Sequence, residues 1–147
     1  MPITEIDKLP ALPEEFVAAR DKLKSDAGVQ ALLEAIRADD ERTMEEQIKI
    51  CEIPAPPFKE KKRGEYLLGL FRQYGLKDAY MDEEGNVVGC RKGSGRGPVV
   101  QIAAHQDTVF PEGTDVTVKR EGNILRAPGI SDDTRGLASM LSLLPLR

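Results

Sequence analysis

With 147 residues, 40% of them hydrophobic and 31% charged, the chain is long enough to bury a core and has an ordinary globular composition. A net charge of −4 without a polybasic tract argues against nucleic acid or an anionic membrane as partner, and no stretch approaches the length of a membrane span. The two cysteines lack CxxC spacing and read as reduced thiols, while the start MPITEIDKLPALPEE has neither the basic nor the apolar region of a secretory signal, so the expected location is cytoplasmic.

Phe16, Ala19 and Leu23, then Val29, Leu32, Leu33 and Ile36, recur at helical spacing and predict two short helices separated near Gly28. They define an N-terminal helical region over residues 1–40. Met44, Ile48 and Cys51 predict a third helix, opened by a Thr43–Glu46 capping box and ended by Pro54, Pro56 and Pro57. A fourth is expected over residues 59–74, with Leu67, Leu70, Phe71 and Tyr74 on its apolar face and Gly75 at the C′ position. Lys59, Lys61, Lys62 and Arg63 at its start read as a solvated face.

Past Gly75 the pattern turns to strands. Residues 76–81 and 86–91 flank Asp82-Glu83-Glu84-Gly85 as one hairpin, and residues 116–119 and 123–126 flank Glu121-Gly122 as another. Gly93, Gly95 and Gly97 join predicted strands where a phosphate-cradling loop would lead into a helix, so they read as a flexible turn. Residues 98–104 (PVVQIAA) are short, β-branched and nearly free of polar groups, the pattern of a buried sheet strand. Pro128-Gly129 marks a turn, after which Leu137, Met140, Leu141 and Leu144 predict a helix. Leu143 and Leu146 crowd that helix further, and with no later element to cover it the chain is expected to end mid-domain.

The chemistry gathers at the end of the 98–104 segment. His105, the one histidine of the chain, stands two residues before Asp107 in AAHQDTVFP, so on a strand the two side chains leave the same face. Open α/β sheets bind ligands at the C-terminal ends of their strands. Imidazole is the commonest protein donor to zinc, and its other ring nitrogen needs the kind of partner that Asp107 is placed to be. One imidazole cannot hold a divalent ion. In APGISDDTRGLA, Asp133 is able to cap the following helix and leave Asp132 to face a metal, or to bridge two of them. The plain alternatives are that Asp107 caps a turn and that Asp132 takes the helix cap in place of Asp133.

HQDTVFP followed by PGISDD and a small-residue helix resembles the family of dinuclear zinc exopeptidases and deacylases that includes aminoacylases, tripeptide aminopeptidases, carboxypeptidase G and succinyl-diaminopimelate desuccinylase. The resemblance runs from Thr43 onward and includes ICEIPAPPFKE and DEEGNVVG. It implies an α/β fold: the N-terminal part of a three-layer α/β/α catalytic domain, with N-terminal helices preceding a mixed sheet, occupying residues 41–147 and cut short at its C-terminus. It implies His105 as a zinc ligand, Asp107 as the catalytic-site carboxylate that orients it, Asp132 as the bridge between two zinc ions, and a cis peptide between Asp132 and Asp133. Cobalt or manganese would suit the same donors.

The activity so implied is hydrolysis of an amide bond in a peptide or N-acyl amino acid by a two-metal-activated water. In the family the general base belongs to a Glu-Glu pair downstream of the Asp-Asp motif. Glu14-Glu15, Glu45-Glu46 and Glu83-Glu84 all precede His105, and none is expected to take that role. The isolated chain is therefore expected to be inactive alone, with the full-length protein a candidate homodimer. The runner-up reading is a non-catalytic metal-binding or interaction module of the same fold.

Overall fold

The computed structural model describes residues 11–146, and its first helix, α1 (Glu14–Ser25), starts directly after Pro13. Glu14 and Glu15 in its first turn and Lys22 and Lys24 in its last complement the helix dipole. The break before α2 (Ala27–Ala38) falls at Asp26, two residues before Gly28 and so near it as the periodicity predicts. Asp26 Oδ1 accepts the Val29 N–H at 3.0 Å, so a side-chain cap sets the boundary and Gly28 lies inside the new helix. These helices form a unit reaching Arg37, and Phe16, Leu23, Leu32 and Leu33 on them are exposed. The first ten residues of the predicted 1–40 region lie outside the described residues.

A second unit starts at Ala38. Its first helix, α3 (Asp40–Cys51), begins upstream of the expected capping box. Thr43 is already helical, its N–H donating to Asp39 O at 3.0 Å, and Glu46 instead accepts the Tyr66 hydroxyl at 2.6 Å. Asp40 and Glu41 supply the negative charge that a helix N-terminus favours, which moves the start back.

The next helix, α4 (Lys61–Gln73), ends as expected. Gly75 has φ +92°, its N–H bonds to Arg72 O at 3.1 Å, and Leu76 N–H returns to Phe71 O at 2.9 Å, which is a Schellman closure. The reading of Arg63 as part of a solvated basic face is overturned, since its side chain is buried while Lys59, Lys61 and Lys62 stay exposed. Its place one turn before Leu67 and two before Phe71 puts it on the apolar face.

The hairpins form, but shorter than predicted, and in the second the turn lies one residue further on, so that Glu121 belongs to a strand. β1 (Tyr80–Met81) pairs antiparallel with β2 (Val87–Val88), and β3 (Lys119–Glu121) with β4 (Ile124–Arg126) around Gly122-Asn123. The last helix, α5 (Thr134–Ser142), lies against α3. Ile50, Leu67, Phe71, Leu76, Ala79, Leu137, Ala138 and Leu141 make one core cluster, with α4 also touching β1 and β2. Burying a side chain such as Leu141 contributes about 1.5–3 kcal/mol.

The largest departure from expectation is the 98–104 segment. It joins no ladder among the described residues, and Val99, Val100 and Ile102 are 98%, 77% and 56% exposed. Both observed ladders are antiparallel, so the mixed sheet is not formed among the described residues. A β-branched run supplies strand propensity but not the neighbouring strand that would accept its backbone hydrogen bonds and cover its side chains. Uncovered apolar surface therefore lies here and not on α5 or the residues just after it, where Leu137 and Leu141 are buried and Met140, Leu143 and Leu144 are half-buried. Among the described residues no helix is long and apolar enough to cross a membrane.

Candidate metal centre

Two loops of the second unit meet at the candidate site, each held mainly by side-chain hydrogen bonds. Residues 105–108 are tied to the loop after α3 through Thr108, which is buried and donates both its N–H (2.8 Å) and its Oγ1 hydroxyl (3.2 Å) to Ala55 O. Gln106 Nε2 donates to Gly85 O at 2.7 Å, and Arg63 Nη1 to Gln106 O at 2.8 Å. In this setting His105 Nδ1 lies 3.1 Å from Asp107 Oδ1 and 3.0 Å from Asp107 O. Both neighbours are acceptors, so Nδ1 carries a proton.

The second loop, residues 127–133, turns at Gly129, whose φ of +78° lies in the left-handed region that glycine enters without penalty. Thr134 Oγ1 donates to Gly129 O at 2.5 Å, Gln47 Nε2 to Ile130 O at 2.6 Å and the Cys51 thiol to Pro128 O at 3.5 Å. Cys51 is thus a buried free thiol, and Cys90 an exposed one.

The choice between the two aspartates is decided by geometry. Asp133 is the N-cap of α5, Oδ1 accepting the Gly136 N–H at 3.1 Å. Its Oδ2 also accepts the His105 N–H at 3.2 Å, which fastens one loop to the other. The Asp132–Asp133 peptide is cis, as the family resemblance implies. Asp132, left out of the cap, brings Oδ1 to 2.9 Å from His105 Nε2.

His105 is thus held between two carboxylates. Its pKa is raised, first by the hydrogen bond to Asp132, with burial opposing and Asp107 assisting. Its side chain is 48% exposed and that of Asp132 90%, so the pair opens to solvent.

The donor types suit a borderline divalent ion. Two donors about 2.0–2.1 Å from one tetrahedral zinc stand ~3.3 Å apart, so the observed 2.9 Å needs only a few tenths of an ångström of opening. Asp107, on the opposite ring nitrogen, stands where a carboxylate would orient the imidazole if a metal were bound at Nε2. Only two donors share the open side, and among the described residues no group of three His, Cys, Asp or Glu side chains is arranged to hold an ion.

Several residues that build this arrangement escaped the sequence reading. For Arg63 a signal existed in its i, i+4 spacing to Leu67. Gly136 follows Asp133 by three residues and leaves room for the capping carboxylate, since a Cβ there would sit 2.0 Å from Asp133 Oδ1. Gln47 and Thr134 act on backbone carbonyls of the second loop, and no local pattern marks them.

No family model matches the chain. Over 93 residues it is 35% identical to a protein of Pyrococcus abyssi described as "Putative [LysW]-lysine/[LysW]-ornithine hydrolase", a stretch covering 63% of this chain and 26% of that protein. Proteins of the same description from Pyrococcus furiosus and Thermococcus kodakarensis are 39% and 38% identical over 61 residues, covering 42% of this chain and 18% and 17% of theirs. The chain is therefore similar in sequence to hydrolases, and the matched stretches span about a quarter or less of those relatives' length.

Proposed function

We propose that this chain carries the N-terminal part of the active site of a zinc-dependent amide hydrolase, an exopeptidase or N-acyl-amino-acid deacylase, built on a three-layer α/β/α domain from about residue 41. The observation that carries the reading is the 2.9 Å approach of His105 Nε2 to Asp132 Oδ1, with Asp107 on the opposite ring nitrogen and Asp133 absorbed by the helix cap. In this reading His105 and Asp132 hold the metal, Asp132 bridges to a second ion, and Asp107 fixes the imidazole.

Zinc bound there would polarise a scissile carbonyl and acidify a bound water. The chain's own part is to present one nitrogen and one oxygen donor on loops held from behind by Thr108, Gln47 and Thr134. A glutamate base and further donors complete the reaction in this scheme, and these 147 residues hold no Glu-Glu pair after His105. Lysine and ornithine conjugates, named in the relatives' description, are the first substrates to try, ahead of general N-acyl amino acids and short peptides.

The test is zinc uptake by the purified chain, measured by competition with a chromophoric chelator, together with hydrolysis of these substrates by the product of the whole gene. Uptake that His105→Ala and Asp132→Ala each abolish supports the site, whereas zinc affinity unchanged by either substitution refutes it. A non-catalytic metal-binding module is the second reading, favoured by the lack of a third donor among the described residues. Zinc uptake without turnover by the product of the whole gene would select it.

A further inference from the structure

Arg63 is among the largest fully buried side chains of the described residues, at 1% exposure. Burial pulls its pKa down, yet from a value so high that the guanidinium stays charged at neutral pH. A buried cation ordinarily finds a carboxylate. The hydrogen bonds of Arg63 go to backbone carbonyls instead. Nε and Nη2 donate to Ile53 O at 3.0 and 2.7 Å, Nη2 also reaches Cys51 O at 3.4 Å, and Nη1 donates to Gln106 O at 2.8 Å.

The Ile53 and Cys51 contacts hold the end of α3 and the bend after it. The last grips the peptide between His105 and Asp107. Because residues 98–104 join no ladder among the described residues, the chain entering His105 gets no placement from a sheet there. What fixes its path is the packing of Ala104 on the core cluster together with the hydrogen bonds from Thr108, Gln106, Asp133 and Arg63, and of those four only Arg63 acts on a carbonyl of the His105–Asp107 segment. We propose that Arg63 is a positioning residue of the candidate metal centre, its planar fork locking the Gln106 carbonyl so that Asp107 holds the imidazole with Nε2 toward Asp132.

The inference rests on the reading of His105 and Asp132 as metal donors. A lysine cannot replace the fork, because one ammonium on a flexible stem does not span the Ile53 and Gln106 carbonyls together. The test therefore compares Arg63→Lys and Arg63→Gln with Leu67→Ala, which removes buried apolar volume one turn along the same helix.

Two readouts are taken on the full chain. In the metal-free protein, the Nδ1–H proton of the sole histidine is followed by NMR, where it is visible while its hydrogen bond to Asp107 shields it from exchange. Zinc affinity is then measured by chelator competition. Both Arg63 variants are expected to fold, lose the shielded ring proton and bind zinc at least tenfold more weakly. Leu67→Ala is expected to keep the ring proton and an affinity within about twofold of the parent while unfolding at lower temperature.

Arg63 variants that keep the ring proton and the affinity overturn the proposal. So does Leu67→Ala losing both in step with its stability, and so does failure of both Arg63 variants to fold, which would make Arg63 a bolt for the whole unit. If the parent chain takes up no zinc, the donor reading fails separately, and the ring proton still decides whether Arg63 positions His105.

Discussion

Gly136→Ala offers a test in which two physical effects have opposite signs. In an exposed helix, alanine in place of glycine stabilises by about 0.8–1 kcal/mol. Here the added Cβ would lie 2.0 Å from Asp133 Oδ1 and 2.6 Å from its Cγ, so the carboxylate has to swing away. That motion breaks the cap to Gly136 N–H, worth about 1 kcal/mol, and the bond from His105 N–H, worth about 1.5 kcal/mol as a hydrogen bond to a charged group. The two losses exceed the propensity gain, and the net expectation is destabilisation of about 1–2 kcal/mol. For a unit of this size the midpoint of thermal unfolding falls by roughly 4–12 °C.

The control is the same substitution in an Asp133→Ala background, where no carboxylate remains to collide with. There Gly136→Ala should stabilise, and the reversal of sign in a double-mutant cycle, read by urea or thermal unfolding, isolates the collision. Stabilisation by Gly136→Ala in the parent chain would refute the argument and with it the assignment of Asp133 as the link between the loops.

Other outcomes follow from burial and charge. Leu141→Ala, at a fully buried position between α3 and α5, is expected to cost about 2–5 kcal/mol in urea unfolding; a cost under 1 kcal/mol would place Leu141 outside the core. Val99→Lys and Val100→Lys are expected to shift stability by no more than about 0.5 kcal/mol, because both side chains are exposed in this chain. Large losses there would mean that residues 98–104 are packed after all. Acid sensitivity is expected at Asp39, whose carboxyl is held below its ordinary value by the hydrogen bond from Arg42, with burial opposing. A folded pKa below the unfolded one means stability that is fully present above the unfolded value near pH 4 and lost as pH falls through the folded value. The difference in unfolding midpoint between the parent and Asp39→Asn should therefore shrink below about pH 4, and a difference constant down to about pH 2.5 would refute the linkage.

The sequence by itself determined the elements whose causes are local. Apolar spacing located α4 and α5, Gly75 located the Schellman closure, and Gly85 and Gly122 located both hairpin turns, because periodicity and turn chemistry are written within a few residues. The candidate residues His105, Asp107 and Asp132 were also picked out by residue type and spacing, and the structure brings both carboxylates within hydrogen-bond distance of the imidazole. Tertiary structure alone decided what those residues touch. It assigned the cap to Asp133 and freed Asp132, left residues 98–104 without a ladder among the described residues, and turned Arg63 from a solvated charge into a buried fork on the Gln106 carbonyl. Each of these depends on a hydrogen-bond acceptor or covering side chain far away along the chain, and local pattern carries no record of which distant group will arrive.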